Sequence, residues 1–315
     1  CHSLSAWPPP RYGAPMTHVR PSSNAAAAYA AGISGIAFFS IMDMVIKGLT
    51  LSIGAYPALL WRSLLGVAVT GLLFLALCQR WPSRAVLRLH LRRGINTAVM
   101  SILFFWGLGK VPMAQAVALS FIAPLIALGL AALLLDEQIG RRTVAGSLAA
   151  LAGVAVILIG QARAELGPQA LLGSIAILIS AMLYAWNLVM LRQQALAAGP
   201  VEIAFFTNLI VSICFVSSLL FVGPVPGPSG HWLELTVATA LAISSQLLLA
   251  WAYARAGAAY LSTTEYSSLL WAMLLGWLRF GEPISPFTLA GAALIVGGCL
   301  FAAAGSEHPA LEASA

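Results

Sequence analysis

Charge is what this chain is short of. Asp, Glu, Lys and Arg make up 8% of its 315 residues, against about 25% in a soluble globular domain. That is too little to coat a globule of this size, so water is not the solvent for most of its surface. Lysine is almost absent. Lys47 and Lys110 are the only two, and no glycine-rich phosphate loop precedes Lys110, which argues against a nucleotide-driven pump. The five histidines (His2, His18, His90, His231 and His308) fall in tails or gaps between apolar runs. The Gly-x-Ser-Gly stretch at Gly32–Gly35 therefore lacks a histidine base, and no His or carboxylate cluster has metal-ligand spacing. Four cysteines show no paired spacing and read as small apolar residues. No enzymatic activity, cofactor or metal is expected. The net charge of +6 is spread over short gaps instead of one basic face, so nucleic acid is not an expected partner.

What the chain has in abundance is apolar length. It is 60% hydrophobic, with a mean hydropathy of +0.92. A bilayer core needs roughly 20 apolar residues per helix. Ten runs approach or reach that length: about 26–49, 56–77, 94–110, 113–135, 143–161, 170–190, 202–222, 232–254, 259–279 and 286–304. With a cytoplasmic N-terminus, the inner gaps and N-terminal tail hold eleven basic residues. The outer ends hold four: Lys47, Lys110, Arg163 and Arg279. The positive-inside bias therefore puts both termini in the cytoplasm. Arginine-over-lysine and alanine-rich usage suggests a bacterial inner membrane. Residues 1–25 read as a disordered tail, in which Met16 is the more natural start, and 305–315 as a cytoplasmic tail.

The two halves repeat. A shift of 145 positions carries Trp106 onto Trp251, Lys110 onto Arg255, Glu137 onto Glu282, Gly146 onto Gly291 and Gly153 onto Gly298. Repeat one covers 26–161 and repeat two 170–304. Five helices per repeat is an odd number, so the second copy enters the membrane upside down. The expected fold is an all-α membrane protein, ten transmembrane helices arranged as two inverted five-helix repeats. Such repeats are typical of secondary transporters, with the binding site near mid-bilayer between the halves. The glycines spaced by seven on helices 5 and 10 predict close packing, of these helices on each other or on a second protomer in a homodimer. Glu137 and Glu282 read as repeat-structural residues that cap or pair at the next helix start.

The stretch Glu265-Tyr-Ser-Ser-Leu-Leu-Trp-Ala-Met-Leu-Leu-Gly-Trp-Leu-Arg-Phe-Gly-Glu282-Pro carries a resemblance, together with Leu289 to Gly298. Ala123-Pro-Leu, Leu135-Asp-Glu137 and Gly146 to Gly153 match it in the first half, joined by Ser40 to Lys47 and Trp61-Arg62-Ser63. The chain resembles the EamA-type members of the drug/metabolite transporter superfamily over 26–304. That resemblance implies a ten-helix transporter of small organic solutes. Amino acids and their derivatives, S-adenosylmethionine and riboflavin are among the cargoes, moved inward by some members and outward by others. The Glu-Tyr pair in helix 9 leans towards the uptake type. Export of amino acids or hydrophobic drugs is the alternative, and a non-transporting scaffold is the alternative from another class.

Charges inside apolar runs are expensive and call for a role. Asp43 and Lys47 stand four apart on helix 1, a spacing that allows pairing, and Arg62 on helix 2 is expected at similar depth. The three form a candidate outer polar cluster, a gate or an anchor for a substrate carboxylate. Glu265 has no basic residue at i±3 or i±4, and its repeat mate is Ser120, so it breaks the internal symmetry. It is the candidate proton or cation site. Trp106, Trp251 and Tyr266 are candidate aromatic walls of a substrate cavity, and Asn187 and Arg62 are candidate polar contacts. Interfacial anchoring of the aromatics and helix–helix bonding by the polar groups are the structural alternatives.

Overall fold

The computed structural model describes residues 23–77, 81–123, 126, 141–163, 167–253, 264–265 and 267–303. They form ten helices: α1 (Ser23–Ile53), α2 (Ala55–Ala76), α3 (Arg84–Leu108), α4 (Met113–Ser120), α5 (Arg141–Arg163), α6 (Gly167–Ala197), α7 (Pro200–Val222), α8 (Trp232–Tyr253), α9 (Ser267–Phe280) and α10 (Pro286–Ala303). There is no strand among the described residues. Five of the helices (α1, α2, α6, α7 and α8) are by themselves long and apolar enough to cross a bilayer. Side chains such as Leu220 and Phe221 stand 87% and 91% exposed, surface that lipid must cover.

Local chemistry sets the breaks. Gly54 alone separates α1 from α2 and takes φ 92, a left-handed conformation that glycine adopts without steric cost. Pro200 opens α7 at a position where a missing N–H costs nothing. The Ser83 side chain accepts from the Val86 N–H at 3.4 Å, marking the start of α3. That start corrects the hydropathy reading. The apolar run begins near 94, but the helix begins at Arg84, so Arg88, His90, Arg92 and Arg93 ride on a helix and not in a gap. Apolar runs report where lipid solvates a helix, while caps report where its hydrogen bonds begin.

The inversion is visible in which ends meet. The end of α1 lies with the chain following α9 and the start of α4, through Lys47, Glu282 and Met113. Tyr56 and Trp61, early in α2, bond to Phe215 and Ser218 near the end of α7 and to Pro226 beyond it. The end of α6 lies instead with the starts of α3 and α7, through Gln194, His90 and Glu202. Equivalent helices α1 and α6 thus finish at opposite ends of the bundle, called here the α1/α2 end and the α2/α3 end.

Packing follows the same exchange. α1 packs on α8 and α3 on α6; α3 packs on α7 and α2 on α8; α1 packs on α9 and α4 on α6. Each of these pairings becomes its partner when the repeats are swapped. α2·α7, α4·α9 and α5·α10 map onto themselves. The α5–α10 seam shows it atom by atom. A Cβ on Gly153 would sit 2.5 Å from the Gly291 carbonyl oxygen, and one on Gly298 would sit 2.5 Å from that of Gly146. The glycines at helices 5 and 10 therefore join the two halves of one chain. That occupies the face which the sequence also allowed for a homodimer.

Candidate functional site

Polar groups inside the bundle fall at three levels. At the α1/α2 end, Lys47 is 3% exposed. Its Nζ donates to the Val111 carbonyl at 2.8 Å and pairs with Glu282 Oε1, while the Phe280 ring lies 5.2 Å away. Glu282 Oε2 accepts from the Met113 N–H at 2.7 Å. This contact has a backbone cause. α4 begins after Pro112, which offers no side-chain cap, so the first N–H groups of α4 need an acceptor from elsewhere. Glu282 supplies one together with a negative charge at the positive end of the helix dipole. Gly281 at φ 63 turns the chain out of α9. The missing side chain of Gly276 leaves room for the carboxylate, since a Cβ there would meet Glu282 Oε2 at 2.7 Å.

Glu282 thus caps a helix start, as the repeat suggested, but the start of α4 in the other half and not that of the next helix. Lys47 and Met113 belong to repeat one and Glu282 to repeat two, so the network ties the halves together. The expected Asp43–Lys47–Arg62 cluster divides accordingly. Lys47 turns to Glu282, and Asp43 and Arg62 stand outside that network. The 145-residue offset carries Lys47 to Arg192 and Glu282 to Glu137; Glu137 and the Arg192 side chain lie outside the described residues.

The second level is mid-depth. Asp43 is ten residues from the end of α1, about 15 Å at the helical rise, half of a bilayer core. Among the described residues, Asp43 Oδ1 and Arg62 Nε are buried without a hydrogen-bond partner, as are Ser212 Oγ, Ser245 Oγ and Gln246 Oε1. These atoms belong to α1, α2, α7 and α8, helices that pack on one another. Native interiors leave few buried polar atoms unmet, and each one points to strain or to a partner outside the chain.

The third level, towards the α2/α3 end, is a continuous chain of hydrogen bonds. Gln194 Nε2 faces His90 Nδ1 at 2.9 Å, and His90 Nε2 faces Glu202 Oε1 at 3.1 Å. The amide is a donor and the carboxylate an acceptor, so Nδ1 accepts and Nε2 donates. The ring stacks on Phe206 with centroids 4.8 Å apart. Arg93 Nη1 donates to Gln194 Oε1 at 2.8 Å and to Thr207 Oγ1 at 3.2 Å, and its Nε donates to Asn187 Oδ1 at 3.3 Å. Asn187 Nδ2 in turn donates to Thr97 Oγ1 at 2.8 Å. The sequence reading treated His90 and Arg93 as gap residues. The Ser83 cap was the signal that could have placed them on a helix.

The remaining candidates stand as follows. Asn187 is buried and engaged by Arg93 and Thr97. Trp106 and Trp251 are 40% and 37% exposed; they sit on α3, which packs on α6 and α7, and on α8, which packs on α1 and α2. Lys110 Nζ lies 5.7 Å from the centroid of the Trp106 ring. Glu265 is half-buried two residues before the start of α9, and Ser268 Oγ donates to its carbonyl at 2.6 Å. Tyr266 lies outside the described residues.

Two inverted halves, tied at one end and carrying unmet polar atoms at mid-depth, define a membrane transporter fold. A model of the EamA-like transporter family matches residues 26–159 and again 171–304, and the chain belongs to that family. It is 25% identical over 264 residues to the pseudopaline exporter CntI of Pseudomonas aeruginosa, a match covering 83% of this chain and 90% of that protein. It is 30% identical over 295 residues to the riboflavin transporter of Rhizobium johnstonii, covering 90% and 92%. Among the solved structures that it resembles is a crystal structure with a TM-score of 0.59 and 23% identity, over 90% of this chain and 99% of that one.

Proposed function

We propose that this protein is a secondary active transporter that carries a small organic metabolite across a bacterial inner membrane by alternating access, with both termini in the cytoplasm. The observation that carries this reading is the exchange symmetry of the packing joined to the Lys47–Glu282–Met113 network. Two sets of helix contacts exchanged by the pseudo-two-fold give a bundle two equivalent ways to close, and the network is a closure at one end. The cargo in this reading is an amino-acid derivative, S-adenosylmethionine or a riboflavin-like solute. The relative named riboflavin transporter supports that class. The relative named exporter supports the opposite direction of movement for the same fold.

In this reading Asp43 and Arg62 meet the solute at mid-depth, with Trp106, Trp251 and Tyr266 as aromatic walls. Glu265 is the proton or cation site, an acid in an apolar stretch whose repeat counterpart is Ser120. Thermal unfolding of the detergent-purified protein against a metabolite panel tests these roles. A ligand at about 100 times its Kd adds roughly 2.7 kcal/mol to the native state. A riboflavin-like or amino-acid-derived ligand is expected to raise the melting temperature, and Glu265→Gln and Asp43→Asn are expected to weaken the shift. A full shift in both variants removes those two residues from the site.

A further inference from the structure

We infer that a small cleft at the α1/α2 end binds a zwitterionic group, an amine and an anionic oxygen group carried on one molecule. The site lies apart from the mid-depth one that transport is proposed to use. The cleft holds about 210 Å3 and opens where α1 meets the start of α8 and the end of α9. Gly48 and Ser52 line it from α1, His231 and Glu234 from the start of α8, and Arg279 from the last turn of α9. Glu234 and Arg279 are exposed, so a ligand in water reaches them without entering the bundle.

Glu234 stands at the positive end of the α8 dipole and Arg279 at the negative end of the α9 dipole, which favours each charge in place. The dipoles do not explain why the two share one cleft without meeting. Among the described residues no hydrogen bond or ion pair engages Glu234, Arg279 or the His231 ring. The guanidinium lies instead 5.7 Å from the centroid of the Phe280 ring. An acid and a base that line one cleft but stay apart leave room for a molecule bearing both complementary charges. Sites for drug-sized ligands run to roughly 300–1,000 Å3, so this cleft suits a head group and not a flavin ring system.

The repeat marks these side chains as an addition to the scaffold. The 145-residue offset takes His231, Glu234 and Arg279 to Val86, Leu89 and Leu134, all apolar. Residues that the repeat keeps, such as Gly153 and Gly298, serve packing. Gly48 leaves the cleft open, since a Cβ there would meet nothing within 4 Å. Two sources carry the chemistry, a free amino acid and a phosphatidylethanolamine head group. In either, the ammonium faces Glu234 and the carboxylate or phosphate faces Arg279.

The test follows the melting temperature of the native protein in detergent with probes that keep or drop one charge. L-Alanine against L-lactate and alaninamide is the free-solute arm. Dihexanoylphosphatidylethanolamine against dihexanoylphosphatidylglycerol is the lipid arm. At least one zwitterion is expected to raise the melting temperature at concentrations where its single-charge counterparts do not. A shift with alanine assigns a free solute, and a shift with the lipid alone assigns a head group. Glu234→Gln and Arg279→Gln are each expected to weaken apparent affinity at least about tenfold. Gly48→Met, which fills the cleft and removes no charge, is expected to abolish the shift. Asp43→Asn, at mid-depth, is expected to leave it intact.

The site is overturned if no zwitterion exceeds its single-charge counterparts, or if the shift survives all three cleft variants. A shift lost in Asp43→Asn but kept in the cleft variants would place the ligand at mid-depth. That result would sink this site and leave the transport reading standing.

Discussion

Replacing Glu282 by Gln is expected to be among the most damaging single changes in this chain. The carboxylate meets the Lys47 ammonium with one oxygen and the Met113 N–H with the other. Gln keeps the volume but removes the charge, leaving Lys47 buried opposite a neutral amide. Losing one partner of a buried ion pair costs about 3–5 kcal/mol, a fall on the order of 10 °C in apparent melting temperature. Lys47→Met/Glu282→Gln should be less destabilised than the sum of its single variants, because the orphaned charge has gone. The coupling should be about 0.5–3 kcal/mol. Flux should not recover with stability in the double variant, since the α1/α2 end has then lost its tie. Additive losses, or a double variant that transports normally, would reduce this network to scaffold.

The second large effect contrasts neighbouring residues. Gly298 faces α5, where a Cβ would sit 2.5 Å from the Gly146 carbonyl oxygen and 3.2 Å from the Ala150 nitrogen. Gly298→Ala must push two helix backbones apart, at a cost of about 1–3 kcal/mol. One position earlier, a Cβ on Gly297 would meet nothing within 4 Å. Gly297→Ala should be neutral or stabilising by up to about 1 kcal/mol through reduced backbone freedom. Gly153→Ala should match Gly298→Ala, because the two occupy equivalent positions and meet equivalent carbonyls. Melting temperatures of the three variants are expected to rank Gly297→Ala first and the other two together well below. Equal behaviour at 297 and 298 would contradict the seam.

The architecture was readable because the repeat survives in the residues that packing needs. Gly153 and Gly298 are visible in the sequence, and their reciprocal contacts are the same fact in space. Glu282 was readable as a repeated cap, but not its partners, which lie 169 and 235 positions away. The spacing of Asp43 and Lys47 allowed a local pair, yet a lysine side chain is long enough to reach past its own helix. At the end of α1 it finds both a carbonyl and a carboxylate. Arg93 and His90 were missed for another reason. Hydropathy marks a lipid boundary, and α3 runs ten residues beyond it, so charges that belong to a buried network read as topology signals. Gln246 is legible as a polar residue inside an apolar run, but the burial of Ser245 and Gln246 follows from the packing of α8 on α1, α2 and α7, which the sequence does not display.

The most direct test of alternating access between two inverted halves is counterflow in proteoliposomes. Vesicles holding the purified chain are loaded with unlabelled riboflavin or an amino-acid-derived ligand found in the thermal panel, and uptake of external labelled solute is followed. The expected result is saturable uptake that is faster with solute on the far side than without it, and that falls sharply in Glu282→Gln. Uptake that grows linearly with concentration and ignores the far side would mean an open pore. No uptake above protein-free vesicles for any ligand that binds would contradict transport altogether.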